Sequence, residues 1–152
     1  MTLHFEPVCP ENRKEIEELE LYPEQSGFIE SVPECLAEAE EFSQWRTVGI
    51  YDGDILVGFS MYGYFNEPLP EGRLWLDRLL IDKRHQGKGY GKAAVLSLLE
   101  RLQKEYNCKK VYLSVYGDNK TAIALYQRAG FYFTGEYDTK GEKIMVYDYN
   151  LK

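Results

Sequence analysis

The run Arg84–Ala94, RHQGKGYGKAA, sets Gly87, Gly89 and Gly91 at alternate positions, with Lys83, Arg84, Lys88 and Lys92 around them. Glycine lets a chain turn sharply and leaves successive N–H groups uncovered by any Cβ. Where such a turn opens a helix, the free N–H groups form an anion site. With four bases close by, this is the chemistry a pyrophosphate needs; an ordinary strand-to-helix turn is the plain alternative. A nucleotide loop of the Gly-Lys-Ser/Thr kind does not fit, because Gly87-Lys88 is followed by Gly89.

The elements around this loop follow from periodicity. Arg73–Asp82 is largely apolar and reads as a central strand ahead of the loop, and a long helix follows from Gly89 to about Tyr106. Upstream, Leu3–Val8 alternates as a strand, ENRKEIEELEL carries Ile16 and Leu19 at helical spacing, and SVPECLAEAEEF is a second helix capped near Ser31. RTVGIYDGDILVGFSMYGYF is a hairpin turning at Asp52-Gly53-Asp54. Downstream come the strand KKVYLSVY, a helix from Asn119 that stops at Gly130, and a strand pair around Thr139-Lys140-Gly141. The order β–α–α–β–β–β–α–β–α–β–β predicts one α/β domain over residues 1–152, with a mixed, mostly antiparallel sheet and helices on both faces.

Composition narrows the partners. At 44% apolar and 14% aromatic the chain can build a core rather than stay disordered. Residues 1–45 carry a net charge of −10 and the remainder +3, which opposes nucleic-acid binding and favours a cationic ligand, although a solvated acidic helix face looks the same. No run is long enough to span a membrane and no secretion signal is expected at the N-terminus. Cys9, Cys35 and Cys108 are widely spaced, form no CxxC pair, and predict neither a metal site nor a disulfide framework, in keeping with a reduced cytoplasmic compartment.

Two segments together carry a family resemblance over residues 46–149. Gln86-Gly87-Lys88-Gly89-Tyr90-Gly91 fits the pattern Q/R-x-x-G-x-G/A, and Asn119, Ala122 and Tyr126 in NKTAIALYQRAGF fit N-x-x-A-x-x-x-Y-x-x-x-G-F. Spaced about 30 residues apart across a strand, they resemble the cofactor segments of the GNAT N-acetyltransferases. Within that family the chain looks most like the bacterial spermine/spermidine acetyltransferases, on FIESVPECLAEAEE, VGIYDGDILVGFSMYG, GRLWLDRLLIDKRHQGKGYGK and YDTKGEKIMVYDY.

The resemblance implies acetyl-CoA as co-substrate and a set of roles. Gln86, Gly87, Lys88, Gly89, Tyr90, Gly91 and Lys92 would hold the pyrophosphate. Leu79, Leu80 and Ile81 would pair with the pantetheine arm and offer an N–H to the thioester carbonyl, while Asn119, also a helix cap, and Ala122 would flank the arm. Tyr126 would be the general acid for the departing thiolate; on pattern alone it is also a core tyrosine of an apolar helix face. Asp77 would bind the ammonium and relay its proton through water. An unpaired acid in an apolar strand is costly, so an ion pair with Arg73 or a base of a neighbouring strand is the plain account, and strand alternation argues against Arg78. Glu30, Glu34, Tyr62, Tyr64 and Trp75 would line an acidic, aromatic acceptor cavity. They are equally capping acids and core aromatics on pattern alone. The expected partners are acetyl-CoA and a polyamine, with a homodimer paired through the last strand. An aminoglycoside, a small amine or a protein amino group as acceptor, and a non-catalytic acyl-CoA-binding module, remain the alternatives.

Overall fold

A computed structural model describes residues 2–151. Its strands are β1 (Leu3–Pro7), β2 (Trp45–Asp52), β3 (Ile55–Phe65), β4 (Arg73–Ile81), β5 (Lys110–Val115), β6 (Tyr132–Tyr137) and β7 (Lys143–Asp148). Its α-helices are α1 (Arg13–Glu17), α2 (Val32–Glu41), α3 (Tyr90–Tyr106) and α4 (Lys120–Ala129). The strands form one sheet in the order β1-β2-β3-β4-β5-β7-β6. Neighbours are antiparallel except β4 and β5, which are parallel. The mixed, mostly antiparallel α/β sheet expected from the sequence is the one observed.

The helices divide between the two faces by their apolar spacing. Val95, Leu98, Leu99 and Leu102 of α3 follow the helical period and bury against Leu74, Leu76, Val111 and Leu113. Ala122, Leu125, Tyr126 and Ala129 of α4 pack at the edge of the same cluster. On the other face, Ile16 of α1 and Val32, Cys35 and Leu36 of α2 cover Phe59, Met61 and Leu80. Ser31 caps α2, accepting from the Glu34 N–H while the Glu34 carboxylate accepts from the Ser31 N–H.

Two expectations about strands are corrected. The final strand is not free to pair with another subunit, because the β6–β7 hairpin folds back and inserts β7 between β5 and β6. The edges are β1 and β6. Secondly, β4 does not alternate throughout. Met61 pairs with Arg78 and Tyr62 with Leu76, so Asp77 is the extra residue of a β-bulge. Before it Leu74 and Leu76 face α3; after it Leu80 faces α2 while Leu79 and Ile81 turn toward Ala94 of α3. The bulge therefore puts Asp77 and Arg78 on the same side, and the two form the ion pair that strict alternation argues against.

Candidate active site

Parallel strands β4 and β5 pair only at Trp75 and Tyr112 and then splay apart. From Arg78 to Ile81, β4 stays paired with β3, so its other edge offers unpaired backbone groups to the gap. A cleft of about 720 Å³ fills this gap and runs from the glycine turn to the acidic residues before and along α2. Leu79, Leu80 and Ile81 line it.

At one end lies the glycine turn. Gly87 and Gly89 have φ of +79° and +88°, a left-handed geometry that L side chains rarely adopt. Gly89 is the N-cap of α3, so the first N–H groups of a seventeen-residue helix open onto the cleft. Gln86, Gly87, Gly89, Tyr90 and Gly91 line it. The Gln86 side chain is anchored rather than free: its amide exchanges two hydrogen bonds with Gln25, at 2.9 and 3.0 Å, and donates to the Ile81 carbonyl. Asp82, 1% exposed, ties the base of the turn by accepting from the Glu20 and Arg84 N–H groups and from Arg84 Nε. Of the four bases expected to face an anion, Lys83 is paired with Glu20 and Arg84 with Asp82. Lys88 and Lys92 point to solvent and do not line the cleft, because the chain there presents its N–H groups inward and its long side chains outward. An extended arm bearing amides and ending in a diphosphate fits this half of the cleft: an open strand edge for the amides and a helix N-terminus for the charge.

Across the gap, Asn119 caps α4 by accepting from the Ala122 N–H at 3.4 Å, and Asn119, Ala122, Leu125 and Tyr126 all line the cleft. The Tyr126 ring packs on Phe131 at 5.6 Å between centroids. Its hydroxyl has no hydrogen-bond partner among the described residues. Burial pushes the phenol up to about 12, which keeps it protonated across the physiological range.

The other end is acidic. Glu30, Glu34, Glu38, Asp77, Asp138 and Glu142 line it together with two cations, Arg78 and Lys140. Arg78 is 10% exposed and bridges three carboxylates: Glu30 at 2.7 Å, Glu38 at 3.1 Å, and Asp77. Lys140, on the β6–β7 loop, reaches Glu30 at 3.2 Å. Burial opposes the charge on Glu30, but Arg78 and Lys140 outweigh it and hold its carboxyl below the usual range. Glu142 goes the other way. Burial, the Asp138 carboxylate and Glu30 together outweigh Lys140 and raise it to about 7.

The aromatic half of the expected acceptor cavity lies elsewhere. Tyr62 is 1% exposed on the α3 side, its hydroxyl bonded by Glu105 and Arg101. Tyr64, on the same side of β3, donates to the Glu71 carbonyl. Trp75 packs on Tyr112 where β4 and β5 are still closed together. None of the three lines the cleft. Arg78, Glu38, Asp138, Lys140 and Glu142 do, although nothing in the sequence pattern singles them out. Glu38 alone left a trace, one helical turn beyond Glu34 on α2.

The Acetyltransferase (GNAT) family model matches residues 11–131. A spermine/spermidine N(1)-acetyltransferase of Bacillus subtilis (strain 168) is 45% identical over 149 residues, covering 96% of this chain and 98% of the relative. Among solved structures, a spermidine N-acetyltransferase from Vibrio cholerae in complex with CoA and spermine superposes with a TM-score of 0.73 at 19% identity, covering 97% and 96% of the two chains. An aminoglycoside acetyltransferase with coenzyme A gives 0.79 at 16% identity, covering 98% and 96%. The two structural likenesses share the fold and leave the acceptor open.

Proposed function

The chain belongs to the GNAT acetyltransferase family, and we propose that it moves the acetyl group of acetyl-CoA onto a primary amine of spermine or spermidine. The observation that carries this acceptor is the acidic end of the cleft, where six carboxylates face two cations at the open edge of β4. A linear polycation finds there several carboxylates in one groove. The near full-length likeness to a spermine/spermidine N(1)-acetyltransferase supports the same acceptor.

Bound acetyl-CoA supplies the acetyl group as an activated thioester. The N–H groups from Gly87 to Gly91 hold its diphosphate at the start of α3. The free edge of Leu79–Ile81 pairs with the amide-bearing arm, and an N–H of that edge donates to the thioester carbonyl oxygen. Asn119 and Ala122 bound the arm on the α4 side. Asp77, with Glu30 and Glu34, draws the ammonium groups to the acidic end. Tyr126 keeps its phenol proton for the departing sulfur.

The test is thiol release with spermidine, spermine, putrescine, lysine and an aminoglycoside as acceptors. Turnover highest with spermine or spermidine is expected. Turnover with the aminoglycoside alone would overturn the acceptor, and tight acetyl-CoA binding with background release for every amine would overturn catalysis.

A homodimer is part of the reading. It is supported by Tyr132, Phe133 and Tyr137, which are 42%, 37% and 64% exposed along edge strand β6. Light scattering at the monomer mass would remove it. A reducing cytoplasmic setting is supported by the three unpaired cysteines. No helix among the described residues is long and apolar enough to cross a membrane.

A further inference from the structure

An acceptor amine arrives as an ammonium and must lose a proton before its nitrogen can attack. Asp77 is poorly suited to take it. Its carboxylate is taken up in an ion pair with the Arg78 guanidinium. Glu30 is likewise paired with Arg78 and Lys140, and Glu38 with Arg78. Glu34 is engaged in capping α2. Asp138 accepts the N–H groups of Lys140 and Glu142 in its own turn. His85 stands at the glycine-turn end, its ring edge-on to Tyr90 at 6.2 Å.

Glu142 remains. It is half-buried, it lines the cleft, and no salt bridge among the described residues reaches it. It stands immediately before β7, next to Lys143, which pairs with Val115 of β5, so it approaches the gap from the side opposite β4.

We propose that the Glu142 carboxylate is the base that takes the amine proton, a role that rests on the acetyl-transfer reading above.

The groups that face Glu142 are Asp138 and Lys140 from its own loop and Glu30 from the segment before α2. Burial and the two carboxylates prevail over the ammonium, so its carboxyl sits at about 7 rather than 4.5. A base near 7 outranks an ordinary glutamate in proton affinity by on the order of a few hundredfold, yet is still largely ionised above neutrality. The step balances as follows. One ammonium proton passes to the Glu142 carboxylate, directly or through one water, and then to solvent. The freed nitrogen forms the amide C–N bond as the thioester C–S bond breaks. The thiolate takes the Tyr126 proton, and the second proton lost from nitrogen restores the phenol through solvent.

The experiment is the pH dependence of kcat and KM for spermidine, from about pH 5.5 to about pH 9, for wild type, Glu142→Gln and Asp138→Asn, with calorimetric binding of acetyl-CoA as a check that each variant folds. Wild-type kcat rises with pH through a limb near 7. Glu142→Gln lowers kcat roughly a hundredfold and abolishes the limb while acetyl-CoA affinity holds. Asp138→Asn removes a like charge and moves the limb to lower pH. If Glu142→Gln keeps kcat within about twofold with the limb in place, or only raises KM, the proposal fails while the acetyl-transfer reading stands. Should Glu142→Gln lose acetyl-CoA binding, an unmoved limb in Asp138→Asn overturns the proposal by itself. If wild type releases no thiol with spermidine or spermine, the polyamine reading and the proposal built on it fall together.

Discussion

Asp77 and Arg78 are adjacent in the chain, yet a bulge turns both to the α2 side of the sheet, where they pair. Arg78 thereby gathers Asp77, Glu30 and Glu38, from β4, the segment before α2 and α2 itself, around one guanidinium. The acidic end of the cleft is a clamped network rather than loose charge. A buried cation with three carboxylates fixes their positions, which a flexible polycation cannot do for itself.

This pairing separates binding from proton transfer. Asp77→Asn is expected to raise the polyamine KM by about tenfold, the worth of one charge-assisted hydrogen bond. The pH limb of kcat stays where it is, because the base is Glu142. Steady-state kinetics across pH checks both halves; a limb that vanishes in this variant returns the base to Asp77.

Tyr126 makes a different prediction. With its phenol pushed up to about 12, it stays protonated well above neutrality, so kcat should show no alkaline fall from this group below about pH 11. Tyr126→Phe is expected to cut kcat by roughly a hundredfold and to leave the acetyl-CoA dissociation constant unchanged, since the hydroxyl has no partner to lose. Calorimetry beside thiol-release assays separates the two effects, and unchanged turnover removes Tyr126 from the acid role.

Lys140 and Glu30 are 110 positions apart, and their ion pair spans the cleft from the β6–β7 loop to the α2 side. The lysine side chain is 60% exposed, so the pair is worth at most about 1 kcal/mol and gives way easily. An arriving ammonium competes with it for Glu30. Lys140→Met should therefore lower the polyamine KM about two- to threefold and shift the melting temperature little. The gap from wild type should narrow as salt rises, because exposed charges are screened. A higher KM in this variant would show that Lys140 helps to shape the site rather than occupy it.

The glycine turn and the Asn119–Tyr126 helix were legible in the sequence because their signals are local. A positive φ calls for glycine at Gly87 and Gly89, and a cap calls for Asn119. The acceptor end was not, for two physical reasons. The bulge at Asp77 lies inside a continuous apolar run, and nothing in WLDRLL marks where the pleat slips. That slip sets which side of the sheet Arg78 and the residues after it face. Tyr62 and Tyr64 lie on β3, where plain alternation with Phe59 and Met61 turns them away from α2. Glu142, Lys140 and Asp138 come from a polar hairpin loop whose composition suits any turn. Only the tertiary fold brings them against Glu30.

Asp82 joins the end of β4, the chain after α1 and the glycine turn through one buried carboxylate. Burial opposes its charge, but Arg84 and the N–H groups of Glu20 and Arg84 prevail, so its folded pKa lies below 3.8. A lowered pKa means that the ionised form is bound more tightly in the folded state. Its contribution is therefore present in full above the unfolded value and is lost as pH falls through the folded one. Asp82→Asn is expected to destabilise the protein by about 2 kcal/mol at neutral pH. The difference from wild type should shrink as pH falls below the ordinary aspartate range and through the lowered folded value. Acetyl-CoA affinity should fall as well, because the turn that offers its N–H groups loses its anchor at the base. Urea unfolding across a series of pH values from neutral into acid, with calorimetry at pH 7, reads all three. A gap that persists undiminished in acid would assign the loss to packing rather than to the carboxylate.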